Sequence, residues 1–338
     1  DLVRSRGLGD VYKRQSYTEA MTIRVTENLF SATFNSPADS NLSDNTIEEN
    51  SSKNTLVGIT ASARDADETN NTITYSLVNN IGGSPYTSGL FAINASTGVV
   101  SSNTNLLNFE ATSSYTIFVK ATSSDGSSAI QSFVVNVSDI NEAPTNITLS
   151  ASSVAENIAA GNTIATLSTV DPDAGDTFTY ALTTGNGTTD ADNGLVDIVG
   201  NAIRIKAGSV VDFEANPILN FNITATDKLG LSFTKALSIA VTNVNEAPSD
   251  ITMTVPSGTV AEETAVGTTI ATLAATDPDL GDSFTFSLAA GNGRNDADNA
   301  LVEIVGNAIR VKDSNIIYAS NPELNINIRV TDANGLSY

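Results

Sequence analysis

Apolar and polar residues alternate along much of the chain with the two-residue period of β-strands that bury one face. Runs such as TIATLSTV, TFTYALTT, FNITATD and LSIAVTNV are short, rich in Val, Ile, Thr and aromatic residues, and bounded by turn residues. Gly200-Asn201 separates two alternating runs, and Gly306-Asn307 repeats it, which is the signal of a two-residue hairpin turn. Helical periodicity is not evident, so the pattern predicts an all-β chain.

The strand pattern repeats with a period near 105 residues, since Asp171 and Asp277 occupy equivalent places 106 residues apart. SVAENIAAGNTIATLSTVDPDAGDTFTYAL, which begins at Ser153, returns as TVAEETAVGTTIATLAATDPDLGDSFTFSL, which begins at Thr259. A more divergent copy, TIEENSSKNTLVGITASARDADE, precedes both. About seven strands in each period predict tandem Greek-key β-sandwich domains of immunoglobulin type in a linear array.

Domain boundaries follow from this frame. SYTEAMTIRVTEN at 16–28 matches SFTKALSIAVTNV at 232–244, so it is predicted to be the last strand of a preceding repeat. The first fifteen residues are basic, whereas the rest is acidic, and they resemble translated sequencing-adapter sequence; the alternative is a disordered basic arm. The predicted segments are 1–15 (artefact), 16–36 (strand and linker of a preceding repeat), 37–141 (repeat 1), 142–247 (repeat 2) and 248–338 (repeat 3, lacking its last strand). Both ends are therefore expected to cut through a longer array.

Composition restricts the chemistry. The 338 residues include no Cys and no His, which excludes disulfides, thiol nucleophiles, Ser-His-Asp triads and zinc or haem sites built from Cys or His. Asp and Glu number 38 against 16 Lys and Arg, a formal charge of −22 that repels nucleic acid and anionic membranes and attracts hard cations. No apolar run approaches the ~18 residues of a membrane span, so direct membrane insertion is not expected. An acidic surface that serves only solubility is the other interpretation.

Acidic residues recur at four positions of the repeat, which favours a metal-binding role. Strand alternation predicts that Asp171 and Asp173 project to the same side of an extended segment, where two carboxylates repel unless a cation lies between them. Ca²⁺ takes six to eight hard oxygen ligands at ~2.3–2.6 Å. The linker DINEAP, repeated as NVNEAP, offers further side-chain oxygens. The recurring acids are Glu49, Glu156 and Glu262; Asp65/Asp67, Asp171/Asp173 and Asp277/Asp279; Glu110 and Glu214; and Asp227 and Asp332.

With these motifs in order, the chain resembles cadherin repeats, in the version found in large bacterial surface proteins. LFAINASTGVV is similar to the family's F-x-I-x-x-x-T-G pattern, and NFEA and DFEA resemble its acidic D-x-E element. DADE, DPDAGD and DPDLGD resemble its D-x-D element, and VNVSDINEAP resembles its interdomain linker. The resemblance covers about 16–338. It implies Ca²⁺ at the junctions between domains, an extracellular or cell-surface location, and adhesion to other cell-surface proteins or to like repeats.

The resemblance also implies a ligand set for each junction. The first junction would use Glu49, Glu110, Asp139, Asn141, Asp171, Asp173 and Asp227. The second would use Glu156, Asp212, Glu214, Asn243, Asn245, Asp277, Asp279 and Asp332. Glu142 and Glu246 are additional candidates. Ile317 and Ala319 replace two of these acids at the end of repeat 3, so weak or no metal binding is expected there.

Three alternatives accompany the calcium interpretation. The acids could be solvated loop residues on domains that stack without metal, as passive spacers that present an enzyme or a binding domain encoded elsewhere. The DADN segments at 190–193 and 296–299 could be an extra calcium loop or an ordinary turn rich in Asp and Asn. A carboxylate pair acting as a glycosidase is disfavoured, because the candidate acids recur in every repeat whereas an active site is usually built once. No enzymatic activity is therefore expected.

Overall fold

The computed structural model describes residues 34–65, 72–320 and 322–338. Within these ranges the regular structure is β-strand, apart from two three-residue 3₁₀ turns at Asn193–Leu195 and Asn299–Leu301. The all-β prediction is confirmed. The predicted artefact at 1–15, most of the predicted strand and linker at 16–36, and Asp67 lie outside the described residues.

Repeat 1 folds as two four-stranded sheets. The strands are β1 (Ala38–Asp39), β2 (Thr46–Glu48), β3 (Leu56–Ser62), β4 (Ile73–Val78), β5 (Phe91–Ile93), β6 (Val99–Ser102), β7 (Ser114–Ser123) and β8 (Ser128–Ser138). One sheet has the order β1-β3-β6-β5 and the other the order β2-β8-β7-β4. In the second sheet, β2 pairs in parallel with β8, which is the last strand of the repeat. The start of the repeat therefore lies beside its end.

Repeat 2 has the same arrangement. Its strands are β9 (Asn146–Leu149), β10 (Ser153–Ala155), β11 (Thr163–Val170), β12 (Thr179–Leu182), β13 (Val196–Val199), β14 (Ala202–Ile205), β15 (Ile218–Thr226) and β16 (Ser232–Thr242). The sheet orders are β9-β11-β14-β13 and β10-β16-β15-β12, with β10 parallel to β16. Val199 pairs with Ala202 across the predicted Gly200-Asn201 turn, where Gly200 has a φ of 63° that a residue with a Cβ would resist.

The core of repeat 2 lies between its two sheets. The apolar residues of each alternating strand point into this core. Along β15 every second residue is buried, and Leu219, Phe221 and Ile223 are at most 1% exposed. Burying one such side chain contributes about 2–3 kcal/mol of transfer free energy. The alternation seen in the sequence is therefore what holds the two sheets together.

Repeat 3 contains one complete sheet and one small sheet within the described residues. Its strands are β17 (Asp250–Thr254), β18 (Thr269–Thr276), β19 (Thr285–Leu288), β20 (Val302–Val305), β21 (Ala308–Val311) and β22 (Ile328–Thr331). They form sheets of order β17-β18-β21-β20 and β19-β22. Strands equivalent to β10 and β16 are absent from the part of repeat 3 that is described. A cavity of about 510 Å³, lined by Ile270, Ile309 and Leu324 among others, opens in this repeat.

The described residues belong to two compact units, and the chain passes from the first to the second between Ile140 and Asn141. Repeats 2 and 3 lie together in the second unit, so the linker between them is part of one compact body. The repeat boundaries given above remain predictions.

Candidate metal centres

Glu156 connects repeat 2 to the linker that follows it. It follows β10, whose parallel pairing with β16 places it beside the end of the repeat, and its side chain is buried. Its Oε2 accepts a hydrogen bond from the backbone N–H of Phe213 at 2.7 Å, and its Oε1 accepts one from Val244 N–H at 2.7 Å. Each carboxylate oxygen keeps a second lone pair that can face a cation.

Glu49 has the same role in the first unit. Its buried carboxylate accepts hydrogen bonds from Phe109 N–H at 2.9 Å and Ile140 N–H at 3.0 Å. One oxygen each of Glu49, Glu110 and Asp139 lie within 4.8 Å of one another. Two ligands of one Ca²⁺ are at most about 5 Å apart, so these three acids can share an ion.

The second unit holds the equivalent cluster of Glu156, Asp212 and Glu214, again with one oxygen of each within 4.8 Å of the others. Asp212 is held in place by Ala215 N–H, which donates to its Oδ1 at 2.9 Å. Asn243 donates its amide to Glu214 Oε1 at 3.1 Å. The structure therefore brings the predicted acids of repeat 2 and the first linker residue together.

A further cluster joins the two repeats of the second unit. Glu214 from repeat 2, Glu246 from the linker and Asp279 from repeat 3 place one oxygen each within 4.8 Å of one another. Glu246 N–H donates to Asp279 Oδ2 at 2.7 Å, and the amide of Asn157 contacts Glu246 Oε1. Glu246 Oε2 is buried and has no hydrogen-bond partner among the described residues. Burying such an oxygen without a partner is costly, so the cluster fits a cation.

Burial and mutual repulsion both raise pKa values in this cluster. Burial raises the pKa of Glu214 above its usual value, and the charges of Glu156, Glu246 and Asp279 raise it further. Burial likewise raises the pKa of Glu246, together with the charges of Glu156, Asp279 and Asp212. The carboxylates thus oppose one another's ionisation in the absence of a cation.

The predicted acids of repeat 3 form a second group at this junction. Asp332 is buried and accepts hydrogen bonds from Asn334 N–H at 2.9 Å, Leu336 N–H at 2.8 Å and the Asn245 amide at 2.9 Å. Burial alone would raise the pKa of Asp332, but these donors together lower it. Asn245, predicted as an oxygen ligand, therefore uses its amide nitrogen to connect the linker to repeat 3.

Asp282 belongs to the same group, although the sequence interpretation missed it. Burial raises its pKa, and so do the charges of Asp277, Asp279 and Asp332. One oxygen each of Asp277 and Asp282 is buried without a hydrogen-bond partner among the described residues.

Asp176 is the residue of repeat 2 that matches Asp282. Asp171, Asp176 and Asp227 place one oxygen each within 4.8 Å of one another, and the Asn141 amide donates to Asp227 Oδ2 at 2.9 Å. Burial raises the pKa of Asp171, with contributions from the charges of Asp173, Asp176 and Asp227. The sequence did contain a signal for the missed pair, because the third acid of D-P-D-x-G-D recurs with the same 106-residue step.

The D-x-D segment is not extended as predicted. Strand β11 ends at Val170, and Asp173 N–H turns back to donate to Asp171 Oδ1 at 3.0 Å. Asp173 Oδ2 instead accepts the N–H of Glu142 at 2.8 Å. Aspartate readily forms such turns with the N–H two residues on, so the two carboxylates face different neighbours. Asp277 and Asp279 form the same turn, with a distance of 3.0 Å.

The DADN segment at 190–193 has the hydrogen bonds of a turn. Both oxygens of buried Asp192 are satisfied, by the Asn216 amide at 2.7 Å and Asn220 N–H at 2.7 Å. Asp190 accepts Gly187 N–H at 2.7 Å. With its carboxylates hydrogen-bonded to the surrounding loop, this segment favours the turn interpretation over an extra calcium loop.

The end of repeat 3 lacks the equivalent arrangement. Glu262 is exposed and accepts a long hydrogen bond from Tyr318 N–H at 3.3 Å. Ile317, at the position of Asp212, is 44% exposed and offers no ligand atom on its side chain. Weak or absent metal binding at this end remains a prediction.

In calcium-depleted buffer, lowering the pH from 7 to about 5 is expected to raise the melting temperature of the second unit. Glu214, Glu246, Asp171 and Asp282 have raised pKa values when folded, so the folded state takes up protons first and gains stability as the pH falls. The pKa of Asp332 is lowered in the folded state, so its contribution to stability is lost only when the pH falls below the usual aspartate pKa of 3.8. Scanning fluorimetry across this range measures the trend.

Saturating Ca²⁺ provides the control for the pH experiment. Protons and Ca²⁺ compete for the same oxygens, so acidification should then lower the melting temperature. A melting temperature that falls with pH in both buffers contradicts the prediction, because it would mean that these acids do not repel one another.

The chain is similar in sequence to known proteins. The cadherin domain family model matches residues 44–138. Human protocadherin gamma-B2 is 32% identical over 233 residues, which cover 68% of this chain and 24% of that protein. Rat protocadherin Fat 2 is 28% identical over 215 residues, which cover 60% of this chain and 5% of that protein. The chain thus spans about a quarter or less of the length of these curated relatives.

Solved structures show the same fold. Extracellular cadherin domains 1–4 of protocadherin gamma B7 give a TM-score of 0.60 at 22% identity, covering 90% of this chain and 74% of that chain. The extracellular domain of protocadherin gamma B4 gives a TM-score of 0.58 at 24% identity, covering 89% and 48%. The described chain is a series of tandem, cadherin-like β-sandwich repeats.

Proposed function

We propose that the chain binds Ca²⁺ at the junction between repeats 2 and 3, and that the bound ions stiffen this joint in an extracellular adhesion protein. One observation carries the proposal: Glu214, Glu246 and Asp279 bring oxygens from repeat 2, the linker and repeat 3 within 4.8 Å of one another. A cation at this place would contact all three segments at once.

The donor set fits calcium. Every predicted ligand at this junction is a carboxylate or an amide, which are hard oxygen donors of the type that Ca²⁺ takes in numbers of six to eight. Buried, unpartnered oxygens of Glu246, Asp277 and Asp282 supply lone pairs that the described residues leave unused. Asp176 and Asp282 extend the predicted ligand set by one acid in each of repeats 2 and 3.

The chain's own residues supply the mechanical coupling. Glu156 fixes the linker to repeat 2 through Val244 N–H, and Asp279 fixes it to repeat 3 through Glu246 N–H. Burial and then mutual repulsion raise the pKa of Glu214 and of Glu246, so both effects oppose this arrangement of charged carboxylates. A bound divalent cation supplies the positive charge that offsets the repulsion. We therefore propose that metal removal loosens the joint.

For the other predicted ligands the assignment stays a proposal from the sequence pattern. In the first unit these ligands are Glu49, Glu110 and Asp139. In the second unit they are Asn141, Asp171, Asp173 and Asp227. Their counterparts at the second junction are the same residue types, except that Asn243 stands where the first junction has Asp139.

The extracellular location, the partners and the origin are supported by likeness to other proteins. The similar structures include extracellular cadherin domains and a cis-dimer of protocadherin gamma B7. We propose that this chain lies outside the cell and contacts like repeats or other cell-surface proteins. We further propose a large bacterial surface protein as its source, from the motif variants in the sequence. No helix in the described ranges is long and apolar enough to cross a bilayer.

A passive, metal-independent spacer is the second candidate. The observation that favours it is the double backbone hydrogen bond accepted by Glu49 and by Glu156, since these two acids have a structural use without any metal. The two candidates differ in whether calcium changes the molecule, and neither involves catalysis.

Replacing both Asp277 and Asp279 with Asn is expected to weaken calcium binding at the second junction at least tenfold, since two ligand charges are removed while the side-chain shape is kept. Isothermal titration calorimetry measures the affinity, and small-angle scattering with and without Ca²⁺ measures the stiffening. Asp197→Asn, an exposed change on β13, is the matched control. Wild-type scattering and heat curves that are identical in 2 mM Ca²⁺ and in chelator would establish the spacer instead.

A further inference from the structure

Lys228 contacts one of the acidic clusters of the second unit. Lys228 directly follows Asp227, and its Nζ lies 2.6 Å from Asp176 Oδ1. The Asp176 side chain is 1% exposed, whereas that of Lys228 is 56% exposed. Asp171, Asp176 and Asp227 together form the repeat 2 cluster, with oxygens within 4.8 Å of one another. The ammonium group thus places a positive charge on the edge of the repeat 2 cluster.

Asp176 itself points to a ligand beyond the lysine. Its Oδ2 is buried and accepts no hydrogen bond from the described residues. The Lys228 ammonium group lies against Oδ1, so the second oxygen of Asp176 remains available to another cation. A buried oxygen without a hydrogen-bond partner is stabilised when it binds a cation. A bound Ca²⁺ would provide this contact for Asp176 Oδ2.

Repeat 3 provides a natural comparison without the lysine. Its counterparts of Asp171, Asp176 and Asp227 are Asp277, Asp282 and Asp332, which we call the repeat 3 cluster. Ala333 stands where repeat 2 has Lys228.

The backbone around this position is the same in both repeats. Asp227 accepts hydrogen bonds from the N–H groups two and four residues on, at 2.8 and 3.0 Å. Asp332 accepts the corresponding bonds at 2.9 and 2.8 Å. The lysine is therefore a difference of side chain on a shared backbone.

We propose that Lys228 competes with Ca²⁺ for the repeat 2 cluster, so that this cluster binds Ca²⁺ more weakly than the repeat 3 cluster. The inference rests on the proposed calcium function and adds an order of filling to it. Lysine is a compact charge on a flexible stem, and its exposed position lets it swing into water when a divalent ion arrives. The repeat 3 cluster then fills first as calcium rises, and the repeat 2 cluster fills later.

The expected size of the effect follows from Coulomb's law. A unit charge about 5 Å from a divalent ion in a water-like dielectric, reduced by salt, changes affinity by about threefold to tenfold. The difference should shrink at high ionic strength, because the lysine is half-exposed and its charge is screened.

Lys228→Met is the direct test, since methionine keeps an unbranched stem and removes the charge. Calcium titration by calorimetry of the whole chain is expected to show the weaker class of sites tightened about threefold to tenfold, with the tighter class unchanged. Lys206→Met, which removes an exposed lysine outside the cluster, controls for net charge. The reciprocal Ala333→Lys change should weaken the tighter class by a similar factor.

The outcomes separate this inference from the function on which it rests. If wild-type protein takes up no calcium at millimolar concentration, the proposed function fails. If calcium binds but Lys228→Met and Lys206→Met shift the weaker class equally, the competition is overturned and only net charge matters. In chelator, Lys228→Met should fold but melt at a lower temperature than wild type, because it leaves the buried Asp176 carboxylate without its ammonium partner. A loss of folding in Lys228→Met would instead show a structural role and contradict the inference.

Discussion

Addition of 2 mM Ca²⁺ to calcium-depleted protein should raise the melting temperature of the second unit, Asn141–Tyr338, by about 4–8 °C for each ion bound. An ion with a Kd of ~10⁻⁴ M, within the range of extracellular calcium modules, stabilises the folded state by about 2 kcal/mol at this concentration. For a unit of this size, each kcal/mol corresponds to about 2–4 °C. Differential scanning calorimetry gives the shift directly.

The physical reason lies in what the cation replaces. Burial and neighbouring charges raise the pKa of Glu214, Glu246 and Asp282, so the charged forms of these carboxylates cost the folded state free energy. The unfolded chain separates these charges and loses little on deprotonation. A cation that binds only the folded arrangement removes the repulsion and adds its own binding free energy.

Two controls define the calcium effect. Mg²⁺ at the same concentration should give a smaller shift, since it requires octahedral geometry at ~2.0–2.1 Å and sheds its water reluctantly. NaCl at matched ionic strength should also give less, because monovalent ions only screen the repulsion. Equal shifts with all three salts would mean that general screening, and not a calcium site, stabilises the unit.

The fold was accessible from the sequence because its determinants are local or periodic. Alternation along β15 depends only on neighbouring residues, and Gly200-Asn201 forms its hairpin between strands that adjoin in sequence. The 106-residue step then located acids in each repeat without any knowledge of their contacts. Such features need no three-dimensional information.

The details of the site depend on long-range contacts that the pattern does not contain. Glu156 reaches Val244, 88 residues later in the chain, only because β10 pairs with β16 in parallel. Whether Asp171 and Asp173 face the same way depends on where β11 ends, and the Asp171 side chain itself ends the extended segment by forming a turn. Asp176 and Asp282 were missed because their motif was treated as a pair of acids when it carries three.

Glu156→Ala is expected to lower the free energy of unfolding of the second unit by about 3 kcal/mol, even in chelator. The carboxylate accepts hydrogen bonds from Phe213 N–H and Val244 N–H, both at 2.7 Å, and hydrogen bonds to a charged group contribute about 1.5–3 kcal/mol each. Their loss leaves the N–H groups of Phe213 and Val244 without this partner. Urea denaturation followed by circular dichroism measures the change, with Glu156→Gln expected to lose about half as much because it keeps one acceptor.

Glu262→Ala is the matched control, since this residue occupies the same position in repeat 3 but is exposed and accepts one long hydrogen bond from Tyr318 N–H. Its replacement should cost less than about 1 kcal/mol. If Glu156 served only as a calcium ligand, Glu156→Ala would match wild type in chelator. If its charge mainly repelled Glu214 and Glu246, the variant would be more stable than wild type without calcium. A loss of stability in both buffers, larger when calcium is present, is the result expected of a carboxylate that holds the linker in place and binds the ion as well.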